Sequence, residues 1–237
     1  MAETSLARMF WNRVEKSAPR PAQQLKQPTG WKTLTWREVG EAVREIASGL
    51  IALGRRPGEA IAILSTSRAE WVQADFAIFS VGGVTIPIYP SYPPDLIQYI
   101  VNDAGVKTLI VEDPTQLAKV LEVEAAMPGL EQIVIIHGYE GREPSPRIFT
   151  WEALRRLGSD QADALKTELA SRVDGIKSED VATIVYTSGR FSRSLSMLSA
   201  NAVQSPRCTP MKDSRRAKEC ARGRKRRCTS PSAMELV

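Results

Sequence analysis

Short apolar runs alternate with stretches of helical periodicity from about residue 33, and this alternation constrains the fold more than any other feature of the sequence. Runs of this length and composition suit strands that are buried on both faces of a parallel sheet. The predicted strands are Ala60–Leu64, 84–89, 109–111, 133–136 and 181–186. Because strand, helix and parallel strand join in right-handed units, the sequence predicts an α/β fold with a parallel, doubly wound sheet.

Helix signals lie between these runs. Thr35 and Glu38 have the spacing of a capping box, apolar residues follow at helical spacing, and Gly54 suits a left-handed C-cap. Further helices are predicted over 68–81, 94–105, 115–126, 150–157 and 160–172. Near the N-terminus an apolar stripe at helical spacing consists of Leu6, Met9, Phe10 and Val14. Such a stripe could pack on its own domain or touch a membrane surface as a peripheral contact.

The character of the sequence changes at Gly189. Residues 190–237 contain 12 Lys and Arg against 3 Asp and Glu, whereas residues 1–189 contain 20 against 24. The basic stretch shows neither helical nor strand periodicity, and its composition buries too little apolar surface to offset the entropy of ordering. The sequence therefore predicts one partial domain over 1–189, followed by a disordered basic tail over 190–237.

All three cysteines, Cys208, Cys220 and Cys228, lie in the basic tail. Their spacing matches no zinc motif, so the sequence predicts no metal site. The absence of cysteine from 1–189 fits a reducing, cytoplasmic location. No apolar run reaches the length of about 18 residues that predicts a transmembrane helix.

Four segments follow one another in an order and spacing that is informative. They read Leu-Thr-Trp-Arg-Glu-Val at 34–39, Ala-Ile-Ala-Ile-Leu-Ser at 60–65 with Glu70-Trp71, Gly-Val-Thr-Ile-Pro-Ile-Tyr-Pro at 83–90, and Ala-Thr-Ile-Val-Tyr-Thr-Ser-Gly at 182–189. Together they resemble the N-terminal part of the adenylate-forming acyl-CoA synthetases, and specifically the long-chain fatty-acid CoA ligases. The last segment resembles the strand that enters the ATP phosphate loop of that family.

This resemblance implies an activity and a set of partners. Family members activate a fatty acid with ATP and Mg²⁺ to an acyl-AMP and then transfer the acyl group to CoA. The resemblance places Thr187, Ser188 and Gly189 at the start of the phosphate loop. In the family this loop continues as Thr-Thr-Gly, one variable residue and Pro-Lys-Gly, so that backbone amides, hydroxyls and a lysine surround the phosphates.

The chain departs from the family at this loop. Residues 190–196 read Arg-Phe-Ser-Arg-Ser-Leu-Ser, without the second glycine, the threonine pair or Pro-Lys-Gly. The family's adenine pocket, metal-binding glutamate and catalytic lysine lie further downstream, so the resemblance assigns no catalytic residue here. We therefore expect an inactive fragment of a ligase, with a sheet that is incomplete at its C-terminal side.

Two interpretations of residues 190–237 remain. The abrupt change in periodicity and charge favours translation from a shifted reading frame, or from a gene broken inside the loop. Alternatively, the run 222–227 could neutralise phosphates, and the protein would be a non-catalytic nucleotide- or nucleic-acid-binding module. Because the basic run carries no recognisable motif, the sequence predicts no specific nucleic-acid partner.

Overall fold

The structure is a computed structural model, which describes residues 5–27, 30–140 and 147–187. Its strands are β1 (Pro21–Gln27), β2 (Gly30–Thr35), β3 (Ala60–Leu64), β4 (Val84–Ile88), β5 (Thr108–Val111), β6 (Gln132–Ile135) and β7 (Ile148–Thr150). Its helices are α1 (Leu6–Ser17), α2 (Trp36–Ala52), α3 (Ala69–Ser80), α4 (Pro94–Asp103), α5 (Pro114–Glu122), α6 (Trp151–Asp160) and α7 (Ala162–Gly175). A short 3₁₀ helix, Glu124–Ala126, follows α5.

Strands β3 to β7 form a parallel sheet in the order β4-β3-β5-β6-β7. Every residue of β3 and β5 is buried, which explains why these strands read as continuous apolar runs rather than alternating ones. The strand order reverses at β3, which has β4 on one side and β5 on the other. The structure confirms the predicted parallel, doubly wound α/β fold.

Neighbouring residues along the strands face two separate cores. In β3, Ile61 and Ile63 belong to a first core, which also contains residues of α1, α2, α3, α6 and α7. Ala60, Ala62 and Leu64 belong to a second core, which is covered by α4 and α5. Helices therefore lie on both faces of the sheet, and side-chain alternation within each strand assigns its residues to the two layers.

Helix α2 begins with the predicted capping box. The Thr35 amide donates to the Glu38 carboxylate at 2.7 Å, and the Glu38 amide donates to the Thr35 hydroxyl at 3.3 Å. Just past its C-terminus Gly54 has a φ of 80°, which a residue with a Cβ rarely adopts. Both ends of the longest described helix are therefore set by local sequence.

Helices α2 and α6 approach each other closely because each has a glycine at the contact. A Cβ on Gly158 would lie 1.8 Å from the Glu45 carbonyl oxygen, and one on Gly49 would lie 2.4 Å from the Leu154 carbonyl oxygen. An ion pair between Arg155 and Glu45, 2.6 Å apart, flanks this contact. The two backbones thus pack where a side chain has no room.

Several element boundaries differ from the predictions. The antiparallel hairpin of β1 and β2, which forms a separate two-stranded sheet, is not among the predicted elements. Strand β7 is not among them either, and Thr150 lies before α6 rather than inside it, because its hydroxyl caps that helix by accepting the Ala153 amide at 3.1 Å. The helix predicted over 115–126 ends as α5 at Glu122 and continues as the 3₁₀ turn. The helix predicted over 160–172 is α7, shifted to Ala162–Gly175.

Two residues of the N-terminal apolar stripe, Phe10 and Val14, pack on the protein itself. Phe10 is 2% exposed and stacks on Phe76 with ring centroids 4.3 Å apart, and Trp11 donates to the Ser80 hydroxyl at 3.0 Å. Leu6 and Met9 stay partly exposed at 37% and 41%. Within the described residues, none of the helices combines the length and the apolar character needed to cross a membrane. Peripheral membrane contact and a cytoplasmic location stay predictions.

Candidate functional site

The segment predicted as a strand over 181–186 lies along the outer edge of β4 but pairs only briefly. Thr183 forms a single parallel bridge with Thr85. The Thr85 amide donates to the Ala182 carbonyl at 2.9 Å, and the Ile184 amide donates to the Thr85 carbonyl at 3.1 Å. The structure thus corrects the predicted strand to one bridge. Among the described residues β4 is the one strand that pairs with this segment, and the pairing is limited to this bridge.

Side chains in this segment contact both cores of the sheet. Ala182 packs against the first core, whereas Ile184 and Tyr186 pack against the second. From its bridge with Thr85 the segment runs parallel to β4 toward the carboxyl edge of the sheet, and Thr187 is exposed. Ligands of open α/β sheets bind outside this edge, so Thr187 lies where a phosphate loop is expected.

The predicted phosphate-loop residues are only partly covered by the structure. Thr187 is described, whereas Ser188 and Gly189 lie outside the described residues. The same is true of the basic tail over 190–237 and its three cysteines. The assignment of Thr187, Ser188 and Gly189 to a phosphate loop, and both interpretations of the tail, therefore stay predictions.

A second group of polar residues lies at the carboxyl ends of β3 and β5, where the strand order reverses. Glu112 accepts the Thr66 amide at 2.7 Å and the Thr66 hydroxyl at 2.8 Å, and the Ser65 hydroxyl lies 3.3 Å away. Arg68 bridges two carboxylates, with Nη1 3.3 Å from Glu112 and Nε 2.8 Å from Glu70. These contacts tie the loop after β3 to the end of β5.

The two carboxylates of this group are stabilised in their ionised form. Burial by itself raises the pKa of Glu112, but hydrogen bonds from Thr66 and the charge of Arg68 outweigh burial, and the net pKa is lowered. The pKa of Glu70 is lowered in the same way, against burial, by Arg68 and by the nearby His137. Because these charges are paired with one another, the group braces the loops of the carboxyl edge.

Sequence reasoning missed this brace, although a signal for it exists. Glu112 directly follows the predicted strand 109–111, and Thr66 comes shortly after the predicted strand Ala60–Leu64. The carboxyl ends of adjacent parallel strands meet at one edge of the sheet. What the sequence does not reveal is that β3 and β5 are neighbours, because β4 lies between them along the chain. Over the described residues, no group of three or more His, Cys, Asp or Glu is arranged to hold a metal ion.

One acidic side chain lies close behind the edge segment. Asp75 in α3 is half-buried, and burial raises its pKa to about 6, while a contact with the Thr85 hydroxyl limits the rise. Thr85 is the residue of β4 to which the segment before Thr187 is bonded. A carboxyl group with a pKa raised to about 6 therefore contacts Thr85, the β4 residue that anchors the segment before Thr187.

The chain belongs to the family of AMP-binding enzymes, because the sequence model of that family matches residues 10–189. It is 33% identical over 163 residues to the long-chain-fatty-acid–CoA ligase FadD15 of Mycobacterium bovis, an alignment that covers 69% of this chain and 26% of that one. It is 29% identical over 185 residues to the long-chain-fatty-acid–CoA ligase ACSBG2 of Xenopus laevis, covering 78% and 24%. The chain thus spans about a quarter of the length of these curated relatives.

Solved structures show the same architecture. The long-chain-fatty-acid-CoA ligase FadD1 from Archaeoglobus fulgidus superposes with a TM-score of 0.62 at 23% identity, over 79% of this chain and 35% of that one. The anthranilate CoA ligase AuaEII, in complex with anthranoyl-AMP, gives the same TM-score and identity over 80% and 33%. These likenesses show that the described residues have the fold of the N-terminal part of adenylate-forming enzymes.

Proposed function

We propose that residues 10–189 are the N-terminal part of an ATP-dependent long-chain fatty-acid–CoA ligase. Support comes from one observation above all: the segment that leads into the Tyr-Thr-Ser-Gly sequence runs parallel to β4, and Thr187, the last described residue of the chain, is exposed. The curated relatives are named as long-chain-fatty-acid–CoA ligases. Fatty acid, ATP and CoA are accordingly the proposed substrates.

In the proposed reaction a fatty-acid carboxylate attacks the α-phosphorus of ATP, and pyrophosphate leaves. The thiol of CoA then displaces AMP and forms the thioester. Thr187 and Ser188 would donate hydroxyl hydrogen bonds to phosphate oxygens, and Gly189 would let the backbone turn its amides toward them. Mg²⁺ would supply charge neutralisation for the leaving pyrophosphate. An exposed hydroxyl such as that of Thr187 can donate a hydrogen bond to a phosphate oxygen.

We further propose that this chain does not catalyse adenylation. Charge develops on the phosphates in the transition state, and fixed donors and cations must be in place to stabilise it. Residues 190–196 offer none of the glycines, threonines or the lysine that the family uses there, and the two arginines of this stretch have no comparable spacing. The loop departs from the motif at the point where its positive charge is required.

Fatty-acid-dependent exchange of labelled pyrophosphate into ATP tests this proposal directly. We expect no exchange above background with palmitate and Mg-ATP, and clear exchange would overturn the proposed inactivity. A repaired variant, in which residues 190–196 are replaced by Thr-Thr-Gly-Ser-Pro-Lys-Gly, tests the loop assignment by equilibrium binding of ATP. The repaired chain should bind ATP more tightly than the natural chain, and Thr187→Ala should reverse that gain. Unchanged affinity in the repaired chain would contradict the placement of the phosphate loop.

A further inference from the structure

Tyr186 is held on three sides immediately before the chain reaches Thr187. Its hydroxyl donates to Oδ2 of Asp103 at 2.7 Å. Its ring stands edge-on to that of Tyr99, with centroids 6.5 Å apart and an interplanar angle of 88°. Its carbonyl oxygen lies 3.5 Å from the hydroxyl of Tyr92. All three partners belong to α4 or to the turn that precedes it, so a single element surrounds this residue.

Main-chain pairing alone leaves the direction of the chain at Thr187 weakly defined. The bridge that docks the segment on β4 is centred on Thr183, three residues before Tyr186. A hydrogen bond to a charged acceptor is stronger than one between neutral groups, and a phenol ring has few rotamers to lose. The contact between Tyr186 and Asp103 is therefore well suited to fix the far end of the segment.

The position of Asp103 supports a dedicated role. Asp103 is the last residue of α4, and a carboxylate in the last turn of a helix is disfavoured by the helix dipole. The hydroxyl of Tyr186 supplies a donor to this carboxylate. An unfavourably placed acid is thus compensated by a residue 83 positions away in sequence, at the beginning of the proposed loop.

We propose that Tyr186, anchored by Asp103, is a positioning residue that fixes where Thr187 leaves the sheet and thereby sets the start of the phosphate loop. This role rests on the proposed function in one respect, namely that the residues from Thr187 onward form a phosphate loop. The geometry that it predicts does not depend on catalysis, because it concerns the docking of the segment on β4.

Amide hydrogen exchange in the full 237-residue chain tests the proposal, with three variants and one control. Tyr186→Phe keeps the ring and removes the donor, Asp103→Ala removes the acceptor, and Asp103→Asn keeps an acceptor oxygen. The control is Tyr89→Phe, because Tyr89 is an exposed tyrosine immediately after β4. The amide of Ile184, which donates to Thr85, reports the docking. The amide resonance of Thr187 reports the direction of the chain.

We expect exchange at Ile184 to rise about tenfold in Tyr186→Phe and in Asp103→Ala, and the Thr187 resonance to shift in both. Asp103→Asn should stay within about threefold of the natural chain, because its amide oxygen can still accept. Exchange of the core amides of β3 should not change. Unchanged exchange at Ile184 in Tyr186→Phe, or an equal rise at Ile184 and in β3, would overturn the positioning role.

Neither ATP nor fatty acid enters these measurements. If the repaired loop failed to bind ATP while Ile184 responded as expected, the proposed function would fail and the anchoring would stand. If ATP bound and Ile184 did not respond, the anchoring alone would fail. The two proposals are therefore tested separately.

Discussion

Asp75 shows how a single buried carboxyl group makes a fold sensitive to pH. It lies in α3, and burial raises its pKa to about 6 from an ordinary value of 3.8. The folded state therefore holds the proton more tightly than the unfolded state. The contribution of Asp75 to stability is present in full below about pH 4 and is lost as the pH rises through 6.

Replacing Asp75 by Asn should remove this dependence. The shift corresponds to at most about 3 kcal/mol between pH 4 and pH 7. We expect Asp75→Asn to be the more stable protein at pH 7, with the difference from the natural chain shrinking toward zero or reversing near pH 4. Urea unfolding of both proteins at pH 4, 5.5 and 7 measures the difference and cancels the titration of all other groups. A constant difference across this range would contradict the assignment.

At this scale the sequence is a partial guide to the site. The family resemblance predicts Thr187 as the first residue of a phosphate loop, and the structure describes Thr187 as exposed, while its role in a loop stays a prediction. The brace of Thr66, Arg68 and Glu112 was not predicted, because its contacts join loops that are more than 40 residues apart. Long-range hydrogen bonds depend on strand order, which local periodicity does not encode.

The helix pair α2 and α6 is the sharpest packing constraint among the described elements. Gly158 faces the backbone of α2, with the Glu45 carbonyl oxygen and the Gly49 nitrogen both nearer than a Cβ tolerates. Helix axes can approach this closely only when the residues at the crossing are small. The presence of glycine inside a helix, which costs helix propensity, is explained by this contact.

Gly158→Ala should therefore be strongly destabilising. Because the new methyl group would meet backbone atoms rather than a flexible side chain, we expect a loss of at least about 3 kcal/mol or failure to fold. Gly175→Ala is the matched control, since Gly175 ends α7 and a Cβ there would meet no atom within 4 Å. That control should change the free energy of unfolding by less than about 1 kcal/mol. Thermal unfolding followed by circular dichroism distinguishes them, and equal melting temperatures would refute the close contact.

Element prediction succeeded where apolar residues were dense and failed where they were sparse. Strands β3, β4, β5 and β6 and helix α2 were anticipated because buried parallel strands and a capped amphipathic helix leave clear patterns. Strand β1, Pro-Ala-Gln-Gln-Leu-Lys-Gln, is rich in polar residues with low strand propensity and is defined by pairing with β2. Strand β7 has three residues and is identifiable only from its pairing with β6.

Over the whole molecule, the charge asymmetry separates residues 1–189 from residues 190–237. The first part contains 20 basic and 24 acidic residues, and the second contains 12 and 3. The family match ends at residue 189, where this change occurs. We propose that 1–189 is a partial N-terminal domain of an adenylating enzyme and that 190–237 is a basic tail, translated from a shifted reading frame or from a gene broken inside the phosphate loop.

Deleting residues 190–237 tests that division. If the tail contributes nothing to the folded body, the truncated and full chains should melt within about 2 °C of each other. The alternative, a nucleic-acid-binding module, predicts that the full chain binds RNA or DNA at physiological salt and that the deletion abolishes this binding. A lower melting temperature for the truncated chain would contradict the division.

Translation of the coding DNA after codon 189 in the other two frames should restore Thr-Thr-Gly, one residue and Pro-Lys-Gly if the frame has shifted.

The close packing of α6 against α2 also has a consequence for biosynthesis. Glu45 and its partner Arg155 are 110 residues apart, so the ribosome releases α2 long before α6 exists. At ordinary rates of synthesis this interval lasts roughly 6 to 20 seconds. During that time the apolar stripe of α2 lacks part of its cover, and a nascent chain stalled before residue 150 should be held by chaperones more tightly than one released after residue 187.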